Sequence, residues 1–205
     1  MAKITKIEVQ KKDKNRCNLY LDGEFFAGVS LETVIKEGLK EGKELDKKKL
    51  GEIIFTSEKE KALKKAIDYI SKALKTKRQV IEYLEKKEYS TEVINITISK
   101  MLEYGLIDDV EFSRRYIEST SKKQGKKLIE FKLMSKGVKK QDIEKAYESV
   151  EETDEDGIYN LALKHLKNKE RTRENLGKTY KYLVGKGFLF EEIDRAMSRI
   201  KEEEV

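Results

Sequence analysis

The 205-residue chain contains no proline and no tryptophan, and it has a single cysteine and a single histidine. Without proline the strongest helix breaker is missing, so long helical stretches are open to the chain. Cys17 has no partner for an intramolecular disulfide, and its place in an alternating segment marks it as a small buried side chain rather than a nucleophile. His165 stands beside Leu161, Ala162 and Leu166 on a helical stripe, with no triad to join, which reads as core-edge packing. There is no glycine-rich phosphate loop. No catalytic residue, metal ligand or cofactor is therefore expected. No stretch approaches the roughly 20 apolar residues that span a bilayer, and the N-terminus lacks the apolar run of a signal peptide. The expectation is a cytoplasmic protein without a membrane partner.

Charged residues make up 41% of the chain and hydrophobic ones 38%, less apolar material than one large core would want. Disorder does not explain the charge, because Leu, Ile, Tyr and Phe recur regularly almost to the C-terminus. Small helical modules, each with a thin apolar seam, do explain it. The net charge of +6 is uneven: residues 1–58 carry +1, 59–107 carry +4, 108–150 carry +3 and 151–205 carry −2. A polyanionic partner is expected at the middle of the chain, where clustered Lys and Arg would meet phosphates.

Residues 1–58 differ from the rest. Ile4–Val9 and Cys17–Leu21 alternate, and Asp22-Gly23 between two apolar runs signals a tight hairpin, so two or three strands are expected over 3–29. Ser30 is read as the cap of a helix containing Thr33 and Val34, and a second short helix is placed over about 46–56. From residue 59 the period becomes helical. Leu63, Ala66, Ile67, Ile70, Ala73 and Leu74 form one stripe, Thr76-x-x-Gln79 reads as a capping box before Val80, Ile81 and Leu84, and Ser90 caps a helix with Ile94, Ile98, Met101 and Leu102 inward. The unit recurs at spacings of 49 and 50 residues: Leu84, Leu133 and Leu183 are followed ten residues later by Ile94, Ile143 and Ile193. Each Leu precedes a turn by four residues, at Glu88, Gly137 and Gly187, where a left-handed conformation suits Gly and strains Glu. The expected fold is mainly α, three tandem three-helix repeats (59–107, 108–150, 151–205) in an elongated, curved array behind a small β-hairpin and helix module (1–58).

Tyr104-Gly105-Leu106-Ile107-Asp108-Asp109-Val110-Glu111-Phe112-Ser113, then Tyr116-Ile117 and the run Gln124–Val138 ending Leu133-Met134-Ser135-Lys136-Gly137-Val138, resembles the RecX family. That family carries a Gly-Leu-Ile/Leu-Asp-Asp block, a following aromatic, and a Gly with a basic pair before Leu-x-x-Lys-Gly. The likeness covers about residues 59–200, departing at Ser113, where the family usually has Ala, and at Glu88. It implies a non-enzymatic, monomeric protein of recombination, DNA repair and the SOS response. Such a protein binds the RecA filament on single-stranded DNA and modulates it, typically as an inhibitor. From the residues alone, Asp108 with Glu111 reads as a helix cap rather than an acid–base pair.

The basic positions carry the expected contacts with RecA and DNA. Lys75, Lys77 and Arg78 open one helix and Lys86 and Lys87 close it; Lys122, Lys123, Lys126 and Lys127 open the next, with Lys132 and Lys136 further on; Arg171 and Arg173 are the weaker counterparts. Tyr180 and Tyr182 flank Lys181 and could stack on bases, but core packing of one of them is favoured. A stand-alone DNA-binding repeat protein and a helical adaptor for an unrelated protein remain open alternatives, separable by the salt dependence of binding.

Overall fold

A computed structural model describes residues 1–11, 13–150 and 155–202. They fall into two compact units, one of residues 1–73 with 80–106, the other of residues 74–79 with those from 107 on.

The first unit opens with strands β1 (Ala2–Val9), β2 (Arg16–Leu21) and β3 (Glu24–Ser30), antiparallel in the order β3-β2-β1, with the two-residue β4 (Glu44–Leu45) beyond β1. Asp22 and Gly23 make the β2–β3 turn with φ of 50° and 91°, the left-handed pair that a type I′ turn needs. Ser30 Oγ accepts from the Thr33 N–H and opens α1 (Leu31–Lys36). The sheet buries Ile4, Cys17, Leu19 and Val29 against Leu50 and Ile54.

Those last two residues belong to α2 (Lys47–Ile70), a single 24-residue helix. The short helix expected over 46–56 is thus corrected, and residue 58 falls inside α2 rather than at an end. No Pro or Gly interrupts the segment after Gly51, and a polar Glu58 in the apolar phase is what imitates a stop. Leu50, Ile54, Glu58, Ala62 and Ala66 are all buried, four residues apart. Glu58 can occupy that row because its Oε2 lies 2.8 Å from Arg16 Nη1. The same phase displaces the expected stripe: Ile67 is exposed, and Ala73 and Leu74 lie exposed beyond the helix end. α3 (Lys77–Lys86) starts with the full capping box, Thr76 N donating to Gln79 Oε1 at 3.0 Å and Gln79 N to Thr76 Oγ1 at 3.2 Å. α4 (Thr91–Glu103) is capped by Ser90 and buries Ile94, Ile98 and Met101, whereas Leu102 faces solvent.

The second unit contains α5 (Asp109–Thr120), α6 (Lys126–Ser135), α7 (Lys140–Glu148), α8 (Glu155–Leu166), α9 (Arg173–Gly185) and α10 (Phe190–Glu202). In each triad the first and third helices pack together: α2 with α4, α5 with α7, α8 with α10. Leu84, Leu133 and Leu183 are fully buried, and so, within a few percent, are Ile94, Ile143 and Ile193. The turn after each Leu is the same Schellman motif. Tyr89, Val138 and Phe188 donate their N–H to Leu84, Leu133 and Leu183 O at 3.2–3.4 Å, across residues with φ of 61° (Glu88), 87° (Gly137) and 84° (Gly187).

Within the second unit these turns also receive a helix start. Gly125 N donates to Lys186 O at 2.9 Å and Lys127 N to Gly187 O at 3.1 Å, so the first turn of α6 sits on the α9–α10 turn. A Cβ at Gly125 would stand 2.2 Å from Phe188 N, and one at Gly187 would stand 2.5 Å from Leu128 N. Likewise Thr76 Oγ1 donates to Lys136 O at 2.8 Å, and a Cβ at Gly137 would meet Arg78 Cδ at 2.2 Å. Glu88, by contrast, is exposed.

Candidate interaction site

The start of α6 carries a cluster of four lysines. Lys122 and Lys123 lie in the turn leading to it, Lys126 and Lys127 are its first two residues, and all four are exposed. None has a carboxylate partner among the described residues. Gly125 at the N-cap offers no side-chain oxygen to the helix, because its backbone is pressed against the α9–α10 turn. The backbone N–H groups at this helix start are largely taken by carbonyls, Gly125 N by Lys186 O and Lys127 N by Gly187 O, so the positive potential here comes chiefly from the four ammoniums. Two ammoniums lie over rings: Lys126 Nζ is 4.8 Å from the Tyr147 centroid and Lys127 Nζ is 5.2 Å from that of Phe190. Such contacts hold the charge without neutralising it.

The other expected contact residues are not gathered there. Lys132 is half-buried and donates to Gln124 Oε1 at 2.7 Å, and Lys136 is half-buried beside the turn that receives Thr76. Lys75 and Lys77 are half-buried, with the Lys77 backbone N–H given to Asp109 Oδ1 at 2.8 Å. Arg78 is exposed and its stem covers Gly137. Lys86 and Lys87 are exposed at the end of α3, with Lys87 Nζ 5.9 Å from the Tyr83 ring. Arg171 plays a structural part, its Nη1 donating to Ile200 O at 2.9 Å and tying off the end of α10. Arg173 is exposed at the first position of α9.

Asp108 caps α5, accepting from the N–H groups of Val110 and Glu111 at 2.8 and 3.1 Å. Glu111 does not reach back to complete a capping box. Its carboxylate instead takes Arg114 Nε at 2.7 Å and Arg115 Nε at 2.6 Å, and these hydrogen bonds hold its pKa down to about 2. Asp109 is spent on the Lys77 N–H, and Ser113 is buried with its hydroxyl donating to Asp109 O at 2.7 Å. The acidic block therefore builds helix starts. His165 Nδ1 lies 2.9 Å from Thr179 Oγ1, and its ring stacks on Tyr182 at 4.4 Å. Burial, reinforced by Lys169, pulls its pKa below the ordinary value. Tyr180 and Tyr182 both pack on the core of the third triad. Among the described residues no group of three or more His, Cys, Asp or Glu could hold a metal ion, and no helix is long and apolar enough to cross a membrane.

Two features escape sequence reasoning. Lys36, Lys61, Lys64 and Lys65 line one cavity of about 660 Å³ between α1 and α2; the spacing of the last three would show it once the phase of α2 is known. Phe131 and Met134 on α6 are exposed by 69% and 52%, which no periodicity signals.

The family model described as "Regulatory protein RecX N-terminal domain" matches residues 2–46, and that described as "RecX, first three-helix domain" matches residues 62–101. A protein of Clostridium tetani named "Regulatory protein RecX" is 35% identical over 203 residues, covering 97% of this chain and 94% of the relative. The chain belongs to the RecX family. RecX proteins of Clostridium beijerinckii and Staphylococcus aureus are 33% and 35% identical, covering 98% of this chain in each case, with 96% and 75% of the relatives covered. A crystal structure of regulatory protein RecX matches with a TM-score of 0.67 at 28% identity, over 97% of this chain and all of that one. RecX from Lactobacillus salivarius shares the fold, with a TM-score of 0.66 at 22% identity over 71% of this chain and 98% of its own.

Proposed function

We propose that this RecX-family protein regulates RecA, acting in the cytoplasm as a monomer that binds the RecA filament on single-stranded DNA and restrains strand exchange. The three helix triads are its repeat units, and it works by charge and shape, not by chemistry. Family membership supports the regulatory role, since the relatives bear the name "Regulatory protein RecX". The observation that carries the contact is the start of α6. Four exposed lysines crowd the positive end of a helix with no described carboxylate to neutralise them, an arrangement that repels itself until an anionic partner arrives. A RecA–DNA filament offers phosphates and acidic protein surface together.

The test is cosedimentation of the purified protein with RecA, with single-stranded DNA, and with both plus a slowly hydrolysed nucleotide. Binding to the complete filament far tighter than to either component is the expected result. Tight, steeply salt-dependent binding to DNA alone, unaffected by RecA, would make it a stand-alone DNA binder. Binding to none of the three would leave an adaptor for some other protein.

A further inference from the structure

The outer face of α6 is apolar where its start is basic. Lys127, Phe131 and Met134 are spaced at i, i+4 and i+7 and so share one face of the helix, over roughly 10 Å. Phe131 is among the most exposed large hydrophobic side chains of the second unit, Met134 is half-exposed, and Phe190, whose ring lies under Lys127 Nζ, is 55% exposed. These residues are not needed by the core of the second triad, which is complete with Ile117, Ile129, Leu133, Val138, Ile143 and Ala146. An aromatic and a methionine side by side in solvent, with a charged rim, have the composition of the centre of a protein interface.

We infer that this strip docks a protein segment bearing apolar side chains and, at one end, carboxylates. The inference rests on the filament reading above and assigns the protein side of that contact. Charge complementarity orients the segment: its acidic end meets Lys123, Lys126 and Lys127, and its apolar side chains cover Phe131 and Met134. A nucleic-acid strand fits less well. It carries a phosphate at every nucleotide, whereas the described cations on this face stop at Lys127, with the carboxylate of Glu130 and then Phe131, Met134 and Ser135 beyond. Methionine has no plane for a base to stack on, and one face of the Phe190 ring is already taken by an ammonium.

The experiment compares wild type with the double variant Phe131→Ser, Met134→Ser, and with Phe131→Glu, which sets a like charge against the partner. Each is titrated by fluorescence anisotropy onto labelled oligo(dT) and onto RecA filaments on the same oligo(dT), at one salt concentration. Melts by circular dichroism verify folding, which these exposed positions should leave intact. Expected are a loss of filament affinity of at least about tenfold for the double variant, a larger loss for Phe131→Glu, and no change on bare oligo(dT). Wild-type binding to filaments with both variants binding equally well would overturn the inference and leave the filament reading standing. Equal losses on filament and bare oligo(dT) would overturn it in favour of a nucleic-acid contact. A wild type that ignores filaments would overturn both.

Discussion

The turn after α3 and the turns after α6 and α9 share one backbone geometry, yet the first tolerates Glu88 where the others hold Gly137 and Gly187. A positive φ therefore does not by itself demand glycine here. Glycine is demanded where the start of a helix lies on the turn, as Leu128 does on Gly187 and Arg78 on Gly137. The first turn is supported otherwise. Tyr89, the residue that closes it, lies under the Arg16 guanidinium, 5.2 Å from ring to cation, and Arg16 is paired with Glu58. The side chains of that pair are only 7% and 8% exposed. One unit is thus keyed by a buried charge pair between sheet and helix, the other by helix starts seated on glycine turns.

Breaking the charge pair should have the largest effect. Glu58→Ala leaves the Arg16 guanidinium buried without its carboxylate, a change that costs about 3–5 kcal/mol, read as a shift in the urea midpoint. Replacing both partners by leucine should recover most of that loss. A single-variant loss under about 1 kcal/mol would show that the pair does not key the unit.

The turns come next. Gly187→Ala should cost about 3 kcal/mol, from overpacking against Leu128 together with the left-handed backbone. Glu88→Gly, at the same place in the motif, should change stability by less than about 1 kcal/mol, because relief of the strained backbone is offset by a more flexible unfolded chain. Similar losses at both positions would mean that conformation, not contact, dictates the glycine.

The smallest effect sharpens the contrast by pH. In the first unit, burial and then the Glu58 charge push Tyr89 up to about 12 from 10.0. A raised pKa gives stability that is complete below pH 10 and lost as pH rises toward 12. In the second unit Glu111 is lowered from 4.5 to about 2, so its contribution is complete above about pH 4.5 and lost as pH falls toward 2. Tyr89→Phe should flatten the alkaline limb of a melting-temperature profile and leave the acid limb alone, and Glu111→Gln should do the reverse. If either variant shifted both limbs alike, the two units would not be sensing pH through these groups.

Much of the repeat was legible in the sequence because its determinants are local. The Leu row, the Ile row ten residues on, the Thr76 and Ser90 caps and the Asp-Gly hairpin each follow from residues within one or two turns of chain. The continuity of α2 was not legible, since what lets Glu58 remain in an apolar row is Arg16, far away in sequence on β2. The apolar strip on α6 was hidden for a related reason: Phe131 and Leu133 are equally apolar in the pattern, and only packing separates the exposed ring from the buried side chain. Of the thirteen basic positions, charge alone could not distinguish Arg171, occupied with Ile200 O, from the lysines left open at the start of α6.

Those lysines are where the functional reading meets its most direct test. Lys122, Lys123, Lys126 and Lys127 are changed together to Ala, and the variant is titrated into a RecA strand-exchange assay beside wild type. Exposed charges cost little stability, so the helical signal and melting temperature should stay nearly intact. Potency should fall at least about tenfold, which corresponds to roughly 1.4 kcal/mol of binding. A folded quadruple variant that restrains strand exchange as well as wild type would contradict the assignment of this surface to the filament.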